Sequence, residues 1–149
     1  MTVFNYEIDY EKTLFTKNDP RYKIGRGEQG VLLVRPYKDK LLPLWKFKTI
    51  EEAKKSSKSI YKEFLKYKKN KDFVGMDMAR KYLEMGYTRS MRYAKHKDGK
   101  KYDKEGNILP IKKDHEKLES AKIFKEYRDK AFKDTVYSQA RRDWKKIES

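Results

Sequence analysis

The stretch from Phe73 to Met85 limits what this chain can fold into more than any other. On a helix, Phe73, Val74, Met76, Met78, Ala79, Tyr82, Leu83 and Met85 cover most of the circumference. Asp77, Lys81 and Glu84 form a narrow polar stripe. A helix apolar nearly all round has to be surrounded, so this is the central buried helix, with Asp72 as its cap. Gly86 reads as a left-handed terminator, and Thr88 as the cap of a short further helix to about His96.

What surrounds that helix is unusually polar. Of 149 residues, 42% are charged and 37% hydrophobic, and the second class includes 12 Tyr. Low hydrophobicity with high net charge favours disorder, but aromatics at 14% oppose it. One small folded domain over 1–149 follows. There is no Cys, which excludes disulfides, thiolate chemistry and Cys-based zinc sites. No apolar run approaches the roughly 20 residues of a spanning helix, and the N-terminus lacks a signal-peptide pattern. The expectation is a soluble cytoplasmic protein without membrane insertion.

Upstream, residues 1–20 read as an extended lead-in ending at the turn signal Asn18-Asp19-Pro20. Residues 21–48 read as a small β element. Tyr22 to Ile24 and Gly30 to Val34 flank a glycine loop, and Leu41 to Phe47 is a second apolar segment, with Pro36 and Pro43 pushing the strands to a sheet edge. Thr49 and Glu52 make a capping box that opens a helix to about Lys69. Its face with Ala53, Ile60, Phe64 and Tyr67 is apolar; the opposite face carries Lys55, Lys58, Lys62, Lys66 and Lys69. Residues 49–97 thus form a basic helical core. Residues 98–113 read as a loop or small hairpin, and 114–149 as C-terminal helices broken near Asp134. The predicted fold class is α+β: a short N-terminal antiparallel β-hairpin or sheet packed on a body of four to five helices.

The charge indicates the partner class. The formal net charge is +16. It concentrates at 21–48 (net +6), 54–71 (net +7) and 78–104 (net +6), whereas 1–20 carries −2. Five lysines spaced along one helix face span about 16 to 20 Å at ~1.5 Å per residue, long enough to track a phosphate backbone. A merely solvated face usually mixes signs, and this one has only Glu63 nearby. Further on, Arg89, Arg92 and His96 share a helix face, with Lys95, Lys97, Lys100 and Lys101 following and Tyr87, Tyr93 and Tyr102 interleaved. Arg forks suit phosphates and Tyr rings stack on exposed bases. Tyr87 and Tyr93 have an equally good reading as core residues.

Other motifs carry less. G-x-G-x-x-G occurs at Gly25, Gly27 and Gly30, but a β-like run follows it, which defeats the dinucleotide fingerprint. A kinase-type loop would need H-R-D and D-F-G, which the chain lacks. Two readings remain: a hairpin with positive-φ glycines, or a phosphate contact through Arg26 and the loop amides. For catalysis, Asp72, Asp77 and Glu84 are candidates for a metal or general-base cluster, although Lys81 offers an i, i+4 salt bridge instead. His96 is a further catalytic candidate, although it lies among cations and neither it nor His115 has metal-ligand spacing. Met removal would expose the Thr2 amine, a nucleophile of the glycosylase/lyase kind. No metal and no cofactor are expected.

The strings Tyr22 to Val34, Leu44 to Thr49, Asp72 to Lys81 and Gly86 to Tyr102 resemble a family of short bacterial and phage proteins known only as a domain of unknown function. The resemblance covers roughly residues 20–110. It implies a single-domain intracellular protein and supplies no activity. From the distribution of charge, the leading expectation is a nucleic-acid-binding protein. Alternatives are a DNA- or RNA-processing enzyme (glycosylase/lyase or nuclease) and an interaction module for an acidic protein partner. Oligomeric state, strandedness and DNA-versus-RNA preference stay open.

Overall fold

The computed structural model describes residues 6–95, 104–107 and 115–148. Among them are five α-helices: α1 (Tyr37–Leu41), α2 (Ile50–Lys69), α3 (Phe73–Lys95), α4 (His115–Lys133) and α5 (Thr135–Glu148), with a 3₁₀ turn at Leu42–Leu44. α3 is the centre, as its sequence demands. α2 and α4 pack along it, and α1 and α5 close its N-terminal part. The end of α2 meets the start of α3 through Tyr67 and Gly75, and Lys68 reaches Asp134 beyond the end of α4. Lys117 near the start of α4 touches the residues just before α2. α2 and α4 thus run in one direction and pack on each other, and α3 runs back against both.

Local chemistry sets the boundaries. The Thr49 hydroxyl accepts from Glu52 N at 3.1 Å and opens α2. Asp72 accepts from Gly75 N at 3.1 Å and opens α3. Asn18 adds a clamp from the lead-in: its Oδ1 accepts from Phe73 N at 2.7 Å and its Nδ2 donates to Lys71 O at 2.9 Å. Asp134 Oδ1 accepts from Val136 N and Tyr137 N, so α4 ends and α5 begins at the expected break.

Two expectations about α3 are corrected. Gly86 does not terminate it, and Thr88 does not cap a new helix; both lie inside one helix of 23 residues. Gly86 is there for space: a Cβ would stand 2.3 Å from the Phe124 ring of α4. Thr88 instead donates from Oγ1 to Glu28 at 2.7 Å.

The larger correction concerns class. The described residues contain no strand and no hairpin, only an isolated bridge between Leu14 and Arg35, so the fold is all-helical and not α+β. In place of a β element, residues 21–36 form turns and irregular chain, and 37–44 form α1 and the 3₁₀ turn. Gln29 N bonds Arg26 O, Val31 N bonds Glu28 O and Leu33 N bonds Gly30 O. Gly25, Gly27 and Gly30 all have positive φ, which bends the chain where a strand would stay extended. Val31 and Val34 are buried and Leu32 is exposed, a spacing of three and not of two. Pro36 precedes α1 and Pro43 sits in the 3₁₀ turn, both helix-start positions. The expected loop or hairpin at 98–113 falls outside the described residues except for 104–107.

Candidate nucleic-acid interface

The glycine loop is tied down by cations from α3. Arg80 Nη1 donates to Gly27 O at 2.5 Å, and Lys81 Nζ donates to Gln29 O at 2.6 Å. Loop carbonyls that a sheet would use in a ladder are spent on buried charges. Those charges are balanced beneath the loop. Arg80 Nη2 meets Asp77 Oδ1 at 2.7 Å, Arg80 Nη1 meets Glu84 at 3.0 Å, and Lys81 Nζ lies 3.8 Å from Asp77. Tyr22 and Tyr137 both donate to Asp77. From α5, Trp144 Nε1 donates to Tyr22 O at 3.1 Å, and Glu148 accepts from Ile24 N at 2.7 Å.

This network is enclosed. Asp77, Arg80 and Lys81 are at most 1% exposed. Burial by itself would raise the Asp77 carboxyl; Arg80 above all, then Lys81 and the two tyrosine hydroxyls, bring it down to about 2. Burial pushes the Lys81 ammonium down to about 7, with Asp77 opposing and Arg80 adding to the fall. Every charge has a partner and the three central groups are buried, so the network holds the fold.

The carboxylate candidates therefore separate. Asp77 is sealed in, Glu84 pairs with Arg80, and Asp72 caps α3 while accepting from the Tyr37 hydroxyl at 2.6 Å. Among the described residues no group of three His, Asp or Glu is placed to hold a metal ion. Thr2, His96, Lys97, Lys100, Lys101 and Tyr102 lie outside the described residues. Arg26 is exposed on the glycine loop, where its backbone N–H bonds Gln29 Oε1 at 3.2 Å.

The lysine row stands on the surface. Lys55, Lys58, Lys62, Lys66 and Lys69 are all exposed on α2, while Ala53, Ile60 and Phe64 are buried on the other side. Glu63 is mostly buried and meets Lys66 at 3.3 Å. At the far end of α3, Arg92 and Lys95 are exposed and Arg89 half-buried. Tyr87 packs under the Arg128 guanidinium, 4.7 Å from its ring centre, and so reads as structural. Tyr93 is 41% exposed and available to a ligand.

The residues around Tyr93 were missed by sequence reasoning. Trp45, Lys46, Phe47, Lys48, Glu52, Tyr93 and Lys117 line a cleft of about 350 Å³ where the start of α2, the end of α3 and the start of α4 meet. Trp45 and Phe47 are 4.9 Å apart by ring centres, and Phe47 and Tyr93 5.8 Å. Lys117 Nζ donates to Lys48 O at 2.5 Å and fixes the wall. A second groove contains Lys46, Glu52 and Lys55, and a third contains Lys54, Lys55 and Lys58. Shared residues thus link the lysine row to the aromatic cleft. The signal was the alternation Trp45-Lys46-Phe47-Lys48, which an apolar-strand reading absorbs.

No helix among the described residues is long and apolar enough to cross a membrane. No curated protein and no solved structure matches the chain. One family model does, over residues 5–147, well beyond the 20–110 over which the resemblance was legible. The chain therefore belongs to the family described as domain of unknown function DUF4385.

Proposed function

We propose that this chain is a cytoplasmic nucleic-acid-binding protein that grips the phosphate backbone through α2 and the C-terminal turns of α3. The observation that carries this reading is the row Lys55, Lys58, Lys62, Lys66 and Lys69, exposed along one helix face. Lys66 alone of the five meets a carboxylate among the described residues. Such a row has no folding role that its aliphatic stems would not serve equally well beside mixed charges. It matches a polyanion, and a net charge of +16 supplies the long-range attraction. Arg92 and Lys95 extend the positive surface, with Arg89 beside them. The carboxylates of the processing-enzyme reading serve as the cap of α3 and the partners of Arg80, so that reading would rest on other groups.

Charge reversal on α2 tests this directly. Lys58→Glu with Lys62→Glu changes two exposed side chains and leaves the packed face intact. Binding to any nucleic acid should weaken at least tenfold at low salt, as two phosphate contacts become repulsions. Unchanged binding would remove α2 as the contact surface. Capture of an acidic protein by the parent chain that survives nuclease treatment, with no nucleic-acid binding, would replace the reading altogether.

A further inference from the structure

We propose that the Trp45–Phe47–Tyr93 cleft receives an unstacked nucleobase, which makes the chain a binder of single-stranded nucleic acid; this rests on the phosphate-binding reading above. Three aromatic rings converge there, and Tyr93 is the ring left most open. At about 350 Å³ the cleft is at the small end of ligand sites, suited to one planar group and too small for a folded partner's helix. Its charged wall is one-sided: Lys46, Lys48 and Lys117 against the single carboxylate Glu52. An occupant with an apolar face and negative charge beside it fits that wall. A nucleobase carrying its own phosphates has both.

Continuity with the lysine row chooses between occupants. Lys46 and Glu52 belong to both the cleft and the adjoining groove, and Lys55 joins that groove to the next. A strand laid along Lys58 and Lys55 is led to the cleft mouth at Lys46. Only an unpaired base can turn its face onto Tyr93 and Phe47, because a duplex keeps its bases stacked. Glu52 offers an acceptor to the amino group of a base edge.

The test is equilibrium binding of a fluorescein-labelled single strand of about a dozen nucleotides, the same strand with abasic sugars throughout, and a blunt duplex. The intact chain and Tyr93→Ala are compared after thermal melts confirm that both fold. Tyr93→Ala should lose about 5- to 150-fold on the normal strand and be unchanged within twofold on the duplex. The abasic strand should bind the intact chain as weakly as the normal strand binds the variant. Equal affinity of normal and abasic strands, or no loss in Tyr93→Ala, overturns the base cleft while leaving the phosphate surface standing if the duplex still binds. Failure of all three probes to bind the intact chain overturns both.

Discussion

Lys81 Nζ donates to the Gln29 carbonyl oxygen at 2.6 Å, joining the middle of the buried helix to a glycine loop more than fifty residues earlier in the chain. The same ammonium faces Asp77 at 3.8 Å and lies 4.8 Å from the centre of the Tyr22 ring. A motif that reads as a phosphate cradle is thus held from below by protein cations. Its carbonyls point at Arg80 and Lys81, which makes the loop a structural cover for α3.

Lys81 gives the fold a pH dependence. Burial lowers its folded-state value to about 7, against ~10.4 in an unfolded chain. Between those values the unfolded state binds more protons, so stability rises with pH from about 7 to 10. Urea unfolding should find the parent chain about 1 to 2 kcal/mol more stable at pH 9 than at pH 7, with that gain absent in Lys81→Met. The buried tyrosines are shifted upward, so they act only above about pH 10 and leave this window clear. Equal pH slopes in parent and variant would contradict the assignment.

Arg80 should be among the costliest side chains to remove. Arg80→Met leaves Asp77 with one fewer counter-charge inside the core and strips Gly27 O of its donor. Breaking such a buried pair costs about 3 to 5 kcal/mol. Chemical denaturation would measure it; a loss under about 1 kcal/mol would mean that the network is more hydrated than its burial indicates.

Gly86 tests the helix packing. Gly86→Ala brings a Cβ to 2.3 Å from the Phe124 ring, so the ring or the helix that carries it must shift. The expected cost is about 1 to 3 kcal/mol, net of any gain in helix propensity. Phe124→Leu should recover part of that loss in the double variant, as a coupled pair does. Simple additivity of the two losses would show that the contact is not what excludes Ala.

Much of the helical frame was legible in the sequence. The Thr49 cap, the α2 faces and the break at Asp134 depend on neighbours within a turn or two, where periodicity and capping speak directly. The glycine segment was not legible as turns, because its conformation is decided by Arg80 and Lys81, far away in sequence. Gly86 misled for the same reason: a left-handed cap and a close approach by Phe124 look alike until α4 is placed. At the site, the α2 lysines needed only helical spacing to be found. The aromatic cleft needed three elements to converge, so Tyr93 was singled out and its partners Trp45 and Phe47 were not.

Arg89 and Arg92 carry a separate prediction. Replacing both with Ala should weaken binding similarly across sequences and flatten the salt dependence by about 1 to 2 units, since phosphate contacts hold no sequence information. Filter binding on several unrelated sequences would show it. A loss confined to one sequence would turn these residues into base readers.

The central claim, that the positive surface binds a phosphate backbone, is tested most directly by duplex binding across ~50 to 200 mM salt. With about five phosphates neutralised, log K should fall against log salt with a slope near −4 to −5. A slope near zero, or no binding of either duplex or single strand at ~50 mM salt, would contradict the account.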